Sequence, residues 1–231
     1  MSVMNTEHEK LVHKLKDDSF HKEYEEKYHD YKVGFIPLVL GKFLVFAGDL
    51  IYGKEPSYGK FQAIEVIARV PYESWEMVSY LFLTALYSNE KRAINLTHTS
   101  RFGRMAQDNE TMHVVVISKL AKEAKQTGLI RFYLIPLIFS LFYFIASTIL
   151  YIVSRKSSLE LNYMFESHAY EQYGQFIDEN KEELKNKPVN SRFLDFYGRP
   201  CANQYEFFVS VRNDELIHRN ESLERIKVPR A

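Results

Sequence analysis

The chain has 231 residues, of which 30 are basic and 30 acidic, and this zero formal net charge gives no reason to expect a nucleic-acid partner. Cys201 is the only cysteine, which excludes an internal disulfide bond. The length is enough for one domain with a full core, and the aromatic residues, 15% of the chain, concentrate in two apolar stretches.

The first 32 residues form a polar and charged arm. It has no apolar signal core and no basic, acid-poor character, so we expect neither a secretory signal nor a transit peptide there. The first apolar stretch, Gly34 to Tyr52, follows, and glycine and proline residues then predict a turn at 53–59. A helix predicted from about Lys60 to Tyr87 should kink at Pro71, whose ring removes one backbone hydrogen bond.

A turn near Asn89 leads to the next predicted helix, about Ala93 to Thr127, for which Gly128 is the natural stop. The second apolar stretch, Leu129 to Val153, comes after it and precedes a helix predicted within Leu159 to Ile177.

A loop containing Gly198 and Pro200 separates that helix from the last one, Asn203 to about Arg225. The chain therefore divides into the polar arm (1–32), one domain (33–225) and a short C-terminal tail (226–231).

Six residues in four of these segments have the spacing of metal ligands in a helical bundle. Two segments carry Glu-x-x-His, and the other two carry a lone glutamate in an apolar, helix-periodic context. Residues three apart on a helix share a face, so the carboxylate and imidazole of each pair can converge on one ion. Two divalent cations would also cancel the charge of four carboxylates, whose burial would otherwise be very costly. The sequence therefore predicts an all-α, ferritin-like four-helix bundle with a dinuclear centre formed by Glu65, Glu110, His113, Glu166, Glu215 and His218.

Single members of this set also have structural interpretations. A third Glu-x-x-His, at 26–29, lies in a segment dense with charge and is typical of a solvated helix face. Glu65 has an i+4 partner in Arg69, and Glu110 could be an ordinary exposed acid. The combination across four segments is more specific than any one member. Carboxylate and imidazole ligands favour iron or manganese and leave the choice between them open.

Four motifs around these residues resemble the signature segments of the alternative oxidases, in the same order along about Asp49 to Leu223. They are Gln62-Ala-Ile-Glu65-Val-Ile-Ala-Arg-Val-Pro-Tyr72, Asp108-Asn-Glu110-Thr-Met-His113, Glu166-Ser-His-Ala-Tyr-Glu-Gln-Tyr173 and Val211-Arg-Asn-Asp214-Glu215-Leu-Ile-His218. The Ala-Arg-Val-Pro-Tyr and Glu-Ser-His-Ala segments make the resemblance closest to the plastid terminal oxidase branch.

The resemblance implies a membrane-bound quinol oxidase that reduces dioxygen to water without pumping protons, with two iron ions held by the six ligands. Tyr173 matches the family's redox-active tyrosine. Asn109 and Asp214 match polar partners that orient the ligands. Where the family usually has an arginine for the quinone head group, this chain has Lys60, which keeps the charge but loses the planar fork of donors. We assign Lys60 and the apolar Ile64 to the quinol site.

His168 belongs to the third motif but lies two residues after Glu166, so it should face away from the ligands and is not expected to bind metal.

The second apolar stretch is ambiguous by itself. Its roughly 25 residues would rise about 37 Å as a helix, enough to cross a bilayer. Its flanks do not decide the orientation, since basic residues lie at both ends. One crossing would place His113 and Glu166 on opposite sides of the membrane, where they could not share a metal site. We therefore predict a monotopic protein whose two apolar stretches lie in one leaflet, with quinol entering between them.

Two other interpretations stay open: a di-iron hydroxylase of quinone biosynthesis, disfavoured by the motif at 68–72, and a metal-free, single-span membrane interaction protein. The resemblance also implies plastoquinol or ubiquinol, dioxygen and one leaflet of a thylakoid or bacterial cytoplasmic membrane as partners, and a homodimer.

Overall fold

The computed structural model describes residues 6–227, and all secondary structure in that range is helical. The described α-helices are α1 Thr6–Lys14, α2 Asp18–Glu26, α3 Phe35–Tyr52, α4 Tyr58–Ala68, α5 Val70–Leu86, α6 Glu90–Glu123, α7 Ile135–Val153, α8 Arg155–Asn186, α9 Arg192–Tyr197 and α10 Gln204–Lys227. A π-helical turn, Ile130–Leu134, leads into α7. The all-α prediction is confirmed.

The predicted kink at Pro71 is confirmed as a break between α4 and α5. Arg69 stands between the two helices, as the C-terminal cap of α4 and the N-terminal cap of α5. Proline has no N–H, so the carbonyl four residues before Pro71 loses its helical partner. Ser57 begins α4 by accepting a hydrogen bond from the backbone N–H of Lys60. Both α4 and α5 contact α6 on either side of this break.

The third predicted helix differs from the observed α6 at both ends. Asn89 caps the helix through a hydrogen bond from the N–H of Arg92, so α6 begins at Glu90 rather than at Ala93. It ends at Glu123 rather than at Thr127, because Lys125 takes a left-handed conformation with φ of 57°. The expected stop at Gly128 is therefore wrong, and a lysine performs the role usually given to glycine.

The bundle consists of α4 with α5, α6, α8 and α10, where α10 packs along α8 and α6 packs along α4 and α5. The helices α8 and α10 extend beyond the predicted limits, to Asn186 and to Lys227. Two apolar clusters fill the interior, one around Phe61, Val116 and Phe208 and the other around Trp75 and Phe102. The candidate ligands lie in the layer between these clusters.

The two apolar helices cover one side of the bundle. Both α3 and α7 contact α4 and α8, and α7 also contacts α5. The segments Phe35–Tyr52 and Ile130–Val153 are long and apolar enough to cross a membrane by length and composition. Only 17% and 22% of their most apolar windows is buried in the protein, so most of their surface lacks an apolar partner within the chain. Large side chains such as Phe43, Phe46 and Phe142 are exposed there.

The N-terminal arm packs on the bundle in its described part, residues 6–32. Val12 of α1 and Leu15, the residue directly after α1, are buried and cluster with Leu216 and Ile217 of α10. The sequence showed this arm only as polar, because its few apolar residues stand among many charged ones. The Glu-x-x-His at 26–29 is solvent-exposed, as predicted.

Candidate metal centre

The four bundle helices bring all six predicted ligands into one buried layer. The helix α4 supplies Glu65, α6 supplies the first Glu-x-x-His pair, α8 supplies Glu166 and α10 supplies the second pair. Each of these side chains is at most 2% exposed. Within each pair the two residues lie one helical turn apart, so both side chains face the axis of the bundle.

The ligand atoms form two overlapping groups, in each of which the atoms lie within 4.8 Å of one another. The first group is Glu65, Glu110, His113 and Glu215, and the second is Glu110, Glu166, Glu215 and His218. Two carboxylates, one from α6 and one from α10, belong to both groups. This sharing is the arrangement of a dinuclear site in which two glutamates bridge and each ion has one terminal glutamate and one histidine.

The imidazoles lie directly among carboxylate oxygens. Nδ1 of His113 is 3.3 Å from Oε2 of Glu110, 3.2 Å from Oε1 of Glu215 and 3.4 Å from Oε2 of Glu65. Nδ1 of His218 is 2.8 Å from Oε1 of Glu110. These separations are close enough for one ion to be bound by a nitrogen and several oxygens together after small adjustments.

Every one of the six side chains has at least one buried nitrogen or oxygen without a hydrogen-bond partner. Buried polar atoms are normally paired, and leaving one unpaired costs about 1–3 kcal/mol. Metal ions would satisfy these atoms at once, since oxygen and imidazole nitrogen are suitable ligands for iron. The residues present therefore fit a pair of such ions.

The carboxylates are difficult to ionise in the absence of cations. Burial, together with the charge of Glu110, raises the pKa of Glu65 to about 7. Burial and the neighbouring carboxylates raise the pKa of Glu215 well above its usual range, and burial also raises the pKa of Glu166. Burial lowers the pKa of His218 to about 4, so its imidazole is neutral and has a lone pair to donate. Metal binding would release the protons that these carboxyl groups retain.

Asp214 orients His113 from the outer side of the layer. One of its carboxylate oxygens lies 2.9 Å from Nε2 of His113 and also accepts hydrogen bonds from Asn109 and Arg199. Burial opposes its ionisation, but the charge of Arg199 and hydrogen bonds from His113 and His8 hold the pKa of Asp214 well below its usual range. An ionised carboxylate only accepts, so Nε2 of His113 carries a proton. Burial opposes the charged imidazole, but the charges of Glu110 and Glu65 raise the pKa of His113 well above its usual range. Nδ1 therefore also holds a proton, which a metal ion would have to displace. Asn109 and Asp214 thus lie beside the ligand layer and contact each other there.

A second polar group orients Glu166. The hydroxyl of Tyr72 donates to Oε1 of Glu166 at 2.6 Å, and Nδ2 of Asn162 lies 3.0 Å from the same oxygen. Asn162 also donates to the hydroxyls of Tyr72 and Ser222. Tyr72 ends the first sequence motif, but the motif does not indicate its contact with Glu166, and Asn162 lies outside all four motifs. The sequence does contain an indication that Asn162 is close to Glu166, because it lies four residues earlier on the same face of the helix.

Tyr173 lies against the other terminal glutamate. Its hydroxyl donates to Oε1 of Glu65, and its ring stacks on Phe61 with centroids 4.1 Å apart. Burial, the charge of Glu65 and the charge of Glu215 raise the pKa of Tyr173 well above its usual range, so the phenol stays protonated. The predicted position, on the same face of α8 as Glu166, corresponds to the structure.

An apolar cavity of about 120 Å³ separates the two exposed helices from this layer. This is roughly ten times the space that one water molecule requires, so the cavity has room for a ring-sized ligand. Residues of α3, α4, α7 and α8 line it, including both Ile64 and Lys60. Its lining also includes Glu166 and Tyr173. His168 also belongs to this wall and is in neither ligand group.

The ammonium group of Lys60 is committed to protein acceptors. The side chain is 1% exposed, and Nζ lies 3.0 Å from Asp49, 2.8 Å from the carbonyl oxygen of Lys54 and 2.9 Å from Gln172. An ammonium has three donors, and these contacts occupy all of them. The expected direct hydrogen bond from Lys60 to a quinol is therefore possible only if one of the three partners is exchanged.

The helices and the cluster together define the class of this chain: a helical-bundle protein with a buried carboxylate and histidine site of the dinuclear metal type. Within that class the chain belongs to the alternative oxidase family, whose family model matches residues 18–224. This confirms the resemblance seen in the four motifs.

One curated relative is the Arabidopsis thaliana protein named Ubiquinol oxidase 4, chloroplastic/chromoplastic, which is 26% identical over 190 residues. The match covers 74% of this chain and 51% of the relative, so the chain spans about half the length of the protein that it matches. No solved structure matches the chain.

Proposed function

We propose that this chain is a membrane-bound quinol oxidase that reduces dioxygen to water at a di-iron carboxylate centre without pumping protons. The observation that carries the proposal is the contact between an apolar cavity, bordered by two exposed apolar helices, and a layer of six buried ligands. The family of the chain and the name of the Arabidopsis relative support this choice of reaction. Two quinol molecules supply the four electrons that one dioxygen requires.

Glu110 and Glu215 belong to both ligand groups, so each would be available to both ions. Glu65 with His113 would complete one ion site, and Glu166 with His218 the other. When bound, the irons would supply the redox chemistry between quinol and dioxygen. The protein holds the ligands in place and excludes water from them.

Tyr173 is the proposed source of a further electron during cleavage of the oxygen–oxygen bond. Its phenol is protonated and hydrogen-bonded to Glu65, so the proton can pass to that carboxylate when the ring loses an electron. Quinol oxidation restores the phenol. The stacked ring of Phe61 fixes the position of the tyrosine without offering another proton acceptor.

We place the quinol head group in the cavity against Ile64, with its tail directed between α3 and α7. The lining is mostly apolar and suits a quinone ring. Lys60 acts in this proposal through its charge and through the positions of Asp49 and Gln172, since its donors are engaged. Plastoquinol and ubiquinol both have the chemistry that this cavity requires.

The membrane arrangement that we propose is monotopic, with α3 and α7 immersed in one leaflet. Both helices contact the same side of the bundle, and their outward surfaces are apolar. A thylakoid or bacterial cytoplasmic membrane would supply the quinol. The homodimer implied by family resemblance is a further proposal, which light scattering of the detergent-solubilised protein would test.

The deciding experiment measures iron content and cyanide-insensitive oxygen uptake by membranes supplied with reduced plastoquinol or ubiquinol. We expect about two irons per chain, from the two ligand groups, and uptake of one dioxygen for every two quinols. Hydroxylated quinone as the product would favour the biosynthetic hydroxylase instead. Membrane-inserted protein that contains no iron, and binds none when Fe²⁺ is supplied, would support the metal-free interaction protein and contradict the proposal.

A further inference from the structure

The N-terminal helix α1 reaches the metal layer, although it lies outside the four bundle helices and outside residues 18–224 that match the family model. His8 of this helix is 5% exposed, and its Nε2 lies 2.7 Å from Oδ1 of Asp214. The two residues are 206 positions apart in the chain. A buried contact over this separation needs the arm to be docked on α10.

The hydrogen bond from His8 completes the fixation of Asp214. The other three partners, from His113, Asn109 and Arg199, all bind the opposite carboxylate oxygen, Oδ2. With donors on one oxygen alone, the carboxylate can still rotate about its Cβ–Cγ bond. A donor on Oδ1 opposes that rotation, so the acceptor that fixes the tautomer and plane of His113 is held from both sides.

Other contacts of α1 keep His8 in place. The neighbouring Glu9 binds Arg199 through both carboxylate oxygens, and Arg199 in turn binds Asp214. Val12 and Leu15 pack on residues 216–217, which lie between the ligands of the second Glu-x-x-His pair. The arm therefore contacts the ligand segment of α10 through a polar and an apolar set of side chains.

We propose that His8 is a positioning residue for the metal centre, acting through Asp214 on His113, so that full occupancy of the His113 ion site depends on α1. The proposal rests on the dinuclear centre proposed above. Loss of an outer hydrogen-bond partner of a metal ligand typically weakens metal binding about 10–100-fold. His8 is one step further from the ion than Asp214, so we expect roughly tenfold, the low end of that range.

The test is an anaerobic titration of the metal-free, detergent-solubilised full chain with Co²⁺, whose visible absorption reports each ion's ligands. The variants are His8→Leu, which keeps bulk without a donor, and His8→Gln, whose amide can replace Nε2. His13→Leu is the matched control, because His13 is exposed on the same helix. Thermal unfolding of each metal-free protein measures the structural effect separately.

We expect His8→Leu to weaken one of two Co²⁺ sites roughly tenfold and change its absorption, while His8→Gln and His13→Leu resemble the unmodified chain. Equal affinities in all four proteins would overturn the inference and leave the proposed function standing. Equal weakening of both sites, with lower thermal stability and no rescue by His8→Gln, would reduce His8 to a packing residue. An unmodified chain that binds no Co²⁺ or Fe²⁺ would contradict the proposed function itself.

Discussion

Glu65→Gln should stabilise the metal-free protein while it destroys the metal site. The side chain is 2% exposed and surrounded by His113, Glu110 and Glu215. Glutamine keeps the oxygen that accepts from Tyr173 and replaces the unpaired Oε2 by an amide that can donate to the neighbouring carboxylates. The substitution removes a buried negative charge and adds hydrogen bonds, but it also removes an anionic ligand.

The magnitude follows from the pKa of Glu65, which is about 7 in the folded protein against an ordinary value of 4.5. A carboxyl group with a raised pKa binds its proton more tightly in the folded state than in the unfolded chain. Its contribution to stability is therefore complete below about pH 4.5 and is lost as the pH rises to about 7. A shift of this size corresponds to at most about 3 kcal/mol at pH 8, and to less than about 1 kcal/mol at pH 5.

The assay is urea unfolding in detergent with a chelator present, at pH 5 and pH 8. We expect Glu65→Gln to raise the free energy of unfolding by up to about 3 kcal/mol at pH 8 and by much less at pH 5. Glu171→Gln, on the exposed side of α8, is the matched control and should change neither value. With Fe²⁺ the order should reverse, since only the unmodified chain has its full ligand set. A variant less stable than the unmodified chain at pH 8 would refute the reasoning.

Three further outcomes test the proposed site and the membrane arrangement. Glu215→Ala should lower iron content by more than half and abolish oxygen uptake, because it removes a bridging ligand; full activity would contradict the ligand assignment. Tyr173→Phe should retain iron and fold while turnover collapses, whereas substantial turnover would leave the tyrosine as a packing residue. Single cysteines at the exposed Thr127 and Lys156, in a Cys201→Ser background, should react with an impermeant reagent from the same side of sealed vesicles, and labelling from opposite sides would refute the monotopic arrangement.

The candidate ligands could be predicted from the sequence because their geometry is local to each helix. Glu110 and His113 face the same direction for the reason that any residues three apart on a helix do. Four such segments also need one buried layer to hide their carboxylates. The break at Pro71 was predictable for the same reason, since proline acts on the backbone of its own helical turn.

The partners of those ligands were less accessible from the sequence. Tyr72 reaches Glu166 across 94 positions, and His8 reaches Asp214 across 206 positions. Contacts of this kind depend on how the helices pack, and no periodic pattern records them. The hydrogen-bond partners of Lys60 were also not visible in the sequence. Its charge suggested a free donor for quinol, whereas Asp49 and the 53–59 turn supply acceptors for its ammonium.

Metal binding and folding are coupled in this protein, because the buried carboxylates destabilise the folded state in the absence of bound cations. Glu65 alone costs the metal-free protein up to about 3 kcal/mol at pH 8. An ion that binds only the folded protein, and is present at a thousand times its dissociation constant, stabilises the fold by about 4 kcal/mol. The gain from one tightly bound ion is thus of the same size as the penalty from one glutamate, and the centre contains three glutamates with raised pKa values. Metal binding at the centre therefore offsets a cost that the metal-free protein bears, and for Glu65 this cost grows as the pH rises from about 4.5 to about 7.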